Sequence, residues 1–135
     1  MADTVFENVC NVLAAVESDA DLTARQFTFV KIKNTGVVDE TIRVEATTVL
    51  GEQAFGVLQD KPVAGEAATV AATGSVTKVF AGEAIPAGSR ITTAADGRAV
   101  AVVANEYDMG YSLTESTAAG QLIGLYLDPA GRTGP

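Results

Sequence analysis

Histidine and tryptophan are absent from this chain of 135 residues. Without histidine there is no imidazole general base, no Ser-His arrangement and no use of the commonest metal-binding side chain, so enzyme readings start at a disadvantage. Cysteine occurs once, at Cys10, which excludes an internal disulfide and fits a reducing cytoplasm better than a disulfide-built secreted scaffold. Basic residues are few. The 9 Lys and Arg face 17 Asp and Glu, a net charge of -8, and no cationic cluster stands out that could neutralise a row of phosphates. Direct nucleic-acid binding is therefore not expected. Long hydrophobic runs are missing too. The longest near the start, residues 12–16, is too short for a membrane span, and the opening MADTVFENVC lacks a basic signal-type region, so a soluble protein made in a cytoplasm is expected. Aromatics make up 6% of a chain that is 47% hydrophobic, so the core has to be built from Val, Ala, Ile and Leu, which suits thin, closely spaced sheets.

What the chain does have is glycine, 13 in all, placed as punctuation between short apolar runs. Residues 74–100, GSVTKVFAGEAIPAGSRITTAADGRAV, are cut by Ala-Gly, Pro-Ala-Gly and Asp-Gly steps that read as turns joining strands. Gly88 and Gly97 are expected to serve turn geometry rather than contact. Residues 64–65 and 119–120 repeat the same grammar. Strands are expected over residues 26–33, 41–50, 54–58, 66–73, 75–81, 90–93, 98–104, 110–113 and 121–127, with 98–104 apolar on both faces and so buried between layers. Residues 105–109 read as a loop and residues 128–135 as loose. The fold class is all-β: a small glycine-punctuated antiparallel barrel or sandwich spanning residues 25–131, with a loose tail at 132–135. A weak internal echo links Gly56-Val57-Leu58, followed by Gly65, to Gly110-Tyr111-Ser112-Leu113, followed by Gly120. This is either a repeated strand-turn-strand element or simply how short strands look, and the second reading is preferred.

Residues 1–24 differ from the rest: they hold five acidic side chains, no Lys or Arg before residue 25, and no Gly. They read as an N-terminal arm. Val5, Val9, Val12, Leu13 and Val16 recur at three- and four-residue steps and Thr4 with Glu7 has capping-box spacing, so a short helix is compatible with the pattern. The stripe needs a cover, and two readings stand side by side: a helix or strand packed on its own domain, or an arm that lies on a partner, for which Val5, Phe6, Val9, Val12, Leu13 and Val16 are the candidate contacts. The arm is expected to contribute little to folding. No catalytic, metal or cofactor residues emerge. Asp60, Glu66, Asp96, Glu106 and Asp108 lack EF-hand spacing and read as solvated loop charges, and Gly82, Gly88 and Gly97 fit neither phosphate-loop pattern. Cys10, with no activating partner, reads as a packed thiol.

One further likeness lies in the order of short motifs. Residues 21–24 (DLTA) and 26–31 (QFTFVK), then 55–62 (FGVLQDKP) with 64–66 (AGE), 74–79 (GSVTKV), 87–88 (AG), 96–100 (DGRAV), Gly110 and Gly120 together resemble the small capsid decoration, or cement, proteins of tailed bacteriophages. The resemblance spans about residues 21–131. It implies a β-rich protein on the outer surface of the virion, made in the host bacterial cytoplasm, that binds the major capsid protein as a homotrimer at or near three-fold positions and reinforces the lattice. It implies no catalytic residue and no cofactor. Two other readings remain: a small-ligand or carbohydrate-binding β module exposed on a phage head, and an enzyme of the β-clip type, to which the Ala-Ile-Pro-Ala-Gly turn bears some similarity.

Overall fold

The computed structural model describes residues 12–34 and 41–134. Among the described residues ten strands and no helix occur: β1 (Val12–Ser18), β2 (Phe29–Ile32), β3 (Ile42–Ala46), β4 (Gly56–Leu58), β5 (Ala67–Ala71), β6 (Val76–Phe80), β7 (Arg90–Thr93), β8 (Ala99–Ala101), β9 (Tyr107–Ser112) and β10 (Leu122–Arg132). The first five close into a barrel in the order β1-β3-β2-β4-β5, and the other five form a sheet in the order β6-β10-β9-β7-β8. The all-β class read from the glycine-punctuated pattern is the one observed.

Alternation along the strands builds two cores from one wall. Val16, Leu22, Val30, Val44, Leu58, Ala68 and Val70 fill the barrel. On the opposite side of β2, β4 and β5, Phe29, Val57 and Ala71 are aligned by strand pairing and join Val79, Ile85, Ile91, Ile123, Leu125 and Leu127 of the second unit. Strand β4 is therefore buried at every residue, because both of its faces meet a core.

The two units are copies of one design. In each, the first strand pairs antiparallel with the fifth, the second antiparallel with the third and fourth, and the fourth antiparallel with the fifth. The first strand also runs parallel to the third, as a ladder between β1 and β3 and as a single bridge between Ala81 and Ala99 in the second unit. Hydrogen bonds outside the ladders repeat in register. Gly65 N donates to Ser18 O at 2.9 Å as Gly120 N does to Ala81 O at 2.8 Å, and Asp19 N to Val44 O at 2.9 Å as Gly82 N to Ala99 O at 2.7 Å. Phe27 N donates to Leu58 O, and Gly88 N to Ser112 O, at 2.7 Å in both cases. Gly56 and Gly110 occupy matching sites where a Cβ would lie 2.1 Å from Ala71 O or 2.0 Å from Tyr126 O. The echo around Gly56 and Gly110 is thus a structural repeat of two five-stranded modules, β1 to β5 and β6 to β10.

Four expectations are corrected. Residues 12–18 form a strand, not a helix, and β1 closes the barrel between β3 and β5, so the boundary at residue 24 cuts through the body. Of residues 98–104 only Ala99 is buried, because β8 is a short edge strand in which Val100 is half-buried and Ala101, at its end, is exposed. The loop expected at 105–109 is the start of β9. The tail is held: β10 continues to Arg132, which pairs with Tyr107, and Thr133 N donates to Glu106 O at 2.8 Å.

Candidate interaction surface

Of the predicted contact stripe, Val5, Phe6 and Val9 lie outside the described residues. Val12 is 48% exposed, whereas Val16 is fully buried among the barrel residues. Leu13 pairs through its backbone with Val70. Val16 is therefore removed from the contact set: its side chain closes the barrel core and cannot reach a partner.

The acidic side chains are mostly structural brackets. Glu106 and Asp108, expected in solvent, are buried. Asp108 accepts from Arg90 Nε at 2.7 Å and from Gly110 N at 3.1 Å, so burial is offset by a charged and a neutral donor. The Arg90 guanidinium lies 5.1 Å from the Tyr111 ring centre, and Tyr111 meets Tyr126 edge-on at 5.4 Å. The hydrogen bond to Asp108 raises the pKa of Arg90 against the opposing effect of burial, and the nearby Asp108 and Asp128 charges add to the rise. A permanently charged arginine locked by a carboxylate is a brace on the sheet face. Among the described residues no cluster of three metal-ligating side chains occurs.

A second carboxylate device recurs at three turns, and sequence reading missed it. In Val49-Leu50-Gly51-Glu52, Val63-Ala64-Gly65-Glu66 and Val103-Ala104-Asn105-Glu106, the valine amide donates to the glutamate side chain at 2.7, 2.8 and 2.9 Å respectively. The glutamate amide returns a bond to the valine carbonyl at 3.3, 3.1 and 3.3 Å. The third residue has positive φ each time: 78° at Gly51, 82° at Gly65 and 68° at Asn105. Each turn is closed from both ends, and each leaves its valine in solvent. Two of the tips adjoin, since a Cβ on Gly51 would stand 2.6 Å from Glu106 Cγ. Val49, Leu50 and Val103, at 59%, 55% and 62%, are the three most exposed large apolar residues among the described residues. The signal in sequence was Val-x-x-Glu with Gly or Asn at the third place. Beside these turns a cleft of about 430 Å³ on the first module is lined by Lys31, Ile32, Glu52, Gln53 and Phe55, among others, with Lys31 Nζ 2.8 Å from Glu52 Oε1.

These features define an all-β protein of two like modules whose most exposed apolar side chains, Val49, Leu50 and Val103, sit on turn tips closed by carboxylates. No family model matches the sequence, and no curated protein does. Among solved structures the fold is similar to the N base of the head fiber gp8.5 of bacteriophage phi29, with a TM-score of 0.66 and 19% identity over 87% of this chain and 92% of that one. At that identity the likeness is one of fold.

Proposed function

We propose that this chain is a structural protein of a bacteriophage head: a capsid decoration protein that sits on the outer surface as a homotrimer at or near three-fold positions, binds the major capsid protein and stabilises the lattice. The observation that carries this reading is the correspondence of fold, over most of both chains, with a protein described as the base of a phage head fiber. The order of short motifs supports it independently. So does the use of side chains: Glu52, Glu66, Glu106 and Asp108 are spent on closing turns and bracing a sheet, while apolar residues project from turns that lose little freedom on binding. On this reading the protein has no catalytic residue, and it engages neither nucleic acid nor membrane. Particles with and without the protein are to be compared under heating and osmotic stress. Particles lacking it should rupture under milder conditions and regain resistance when purified protein is added back. Unchanged particle stability together with lost host attachment would overturn cementing in favour of a ligand-binding head module.

A further inference from the structure

We propose that the seam between the modules carries a carboxylate-binding site, a cleft of about 360 Å³ in which Arg25 and Arg98 receive one acidic side chain of a partner protein. The two arginines lie far apart in sequence, and neither belongs to a basic run. Arg25 stands on the turn that precedes β2, where its amide donates to Leu22 O at 2.9 Å and its carbonyl accepts from Thr28 N at 3.1 Å. Arg98 stands on the turn between β7 and β8, closed by Ala94 N donating to Arg98 O at 2.8 Å and Gly97 N to Ala94 O at 3.0 Å. Phe29 N donates to Gly97 O at 2.8 Å and ties the start of β2 to the second turn. Fixed backbone therefore brings both arginines to one cleft before any ligand arrives.

Charge sets this cleft apart in an acidic chain. Lys31, Lys33, Arg43 and Arg90 each meet a carboxylate of their own, at 2.8, 3.1, 3.9 and 2.7 Å. Arg25 and Arg98 share Asp96. Arg25 Nη1 donates to the Asp96 carbonyl, Arg98 Nε lies 3.7 Å from Asp96 Oδ2, and Asp96 Oδ1 accepts from Arg98 N at 3.1 Å. Two guanidiniums against one carboxylate leave the lining one positive charge in excess. A single carboxylate matches that excess, whereas a phosphate or a polyanion brings more charge than the cleft neutralises to a chain of net charge -8. The remaining lining selects the carrier. The Thr28 hydroxyl already donates to Arg25 O at 2.7 Å, and Ala24, Phe80 and Gly120 bring no side-chain donor. Hydroxyls of an acidic sugar would give up water there with no side-chain donor in return, while the methylene stem of a glutamate or aspartate gains apolar cover from Phe80. The site rests on this geometry; the capsid shell as the source of the acidic side chain rests on the function proposed above.

The test follows the Nε–H resonances of Arg25 and Arg98 by NMR in isotope-labelled full-length protein. The probes are glutamate and glutamine, each blocked at its backbone amine and carboxyl, then glucuronate and inorganic phosphate, all at constant ionic strength. Blocked glutamate should shift both resonances and blocked glutamine neither, and Arg98→Gln should weaken the binding read at Arg25 by about tenfold. Unmoved resonances with blocked glutamate overturn the site. Glucuronate or phosphate binding about tenfold tighter than blocked glutamate overturns an acidic side chain as its ligand. On undecorated particles, Arg98→Glu should lower occupancy by about tenfold at low salt, with Arg98→Gln between it and the parent. The Arg98 side chain is 42% exposed, so both variants should keep the parent's melting curve. Parent-like occupancy of Arg98→Glu overturns the shell as the source of the carboxylate. If the parent itself leaves particles bare while blocked glutamate still binds, the function proposed above falls and the site stands.

Discussion

Phe27 holds φ 60°, a left-handed conformation that a bulky side chain adopts at a cost of about 1–3 kcal/mol. Its counterpart in the second module is Gly88 at φ 82°, where the same bend is free of that penalty. The first module keeps the phenylalanine because it bridges the modules: Phe27 O accepts from Phe80 N at 2.9 Å, and the two rings lie 6.4 Å apart. Glycines at two other sites separate conformation from contact. A Cβ at Gly88 would meet nothing within 4 Å, so Gly88→Ala should lower stability by about 1 kcal/mol through φ alone. Gly110, at φ 140°, would place its Cβ 2.0 Å from Tyr126 O, so Gly110→Ala should cost more than about 3 kcal/mol because backbone must move. Denaturant midpoints check the ordering, and equal effects would refute it. Gly97 departs from the expectation of geometry alone, since its Cβ would approach Thr28 Cβ to 2.9 Å and its carbonyl accepts from Phe29 N at 2.8 Å.

The bracketed turns are the elements on which surface chemistry depends, and Glu52 makes one of them sensitive to pH. Burial pulls its carboxyl pKa up, but hydrogen bonds from Lys31 and from the Thr48 and Val49 amides, with the Lys31 charge, bring it below the ordinary 4.5. A folded-state pKa depressed in this way stabilises the protein above the unfolded value, and the contribution is lost as pH falls through the folded one. Melting temperature measured from about pH 7 to pH 3 should therefore fall on the acid side of 4.5, and Glu52→Gln should start lower at neutral pH and fall less. Parallel curves for the two proteins would show that the bracket does not depend on ionisation.

At the scale of the molecule, the modules share one buried layer, and one edge of the second sheet is already covered by the chain itself. Phe29, Val57 and Ala71 of the barrel wall lie in the core of the second module, so the halves should unfold together. On the outer edge of β8, Ala99 O accepts from Gly82 N at 2.7 Å, and Ala101 N donates to Glu83 Oε2 at 2.9 Å. That edge is closed to strand addition. The barrel itself needs β1, which pairs with both β3 and β5. Deleting residues 1–20 should consequently unfold or aggregate the protein, the reverse of what an independent arm would do. Gel filtration and far-ultraviolet circular dichroism check this; a compact, fully β truncation would return residues 12–20 to the status of an arm.

The sequence by itself determined the all-β class, the absence of an imidazole and the places of most turns, because strand alternation and positive-φ glycines are local properties of the chain. Residues 29–32, 76–80 and 90–93 could be read in this way. Only the tertiary structure decided that residues 12–18 belong to the barrel, since burial of Val16 depends on pairing with Ala68 and Ile42, far along the chain. It also decided that the weak glycine echo is a repeat of whole modules. What repeats is backbone hydrogen bonding, while the side chains have diverged with their surroundings. Phe29, Val57 and Ala71 face another module and are apolar; Arg90, Tyr111 and Tyr126, at matching positions, face outward and are polar and aromatic. A repeat carried by main-chain register leaves little trace in residue identity, and that is why the likeness of the two modules could be seen only in three dimensions.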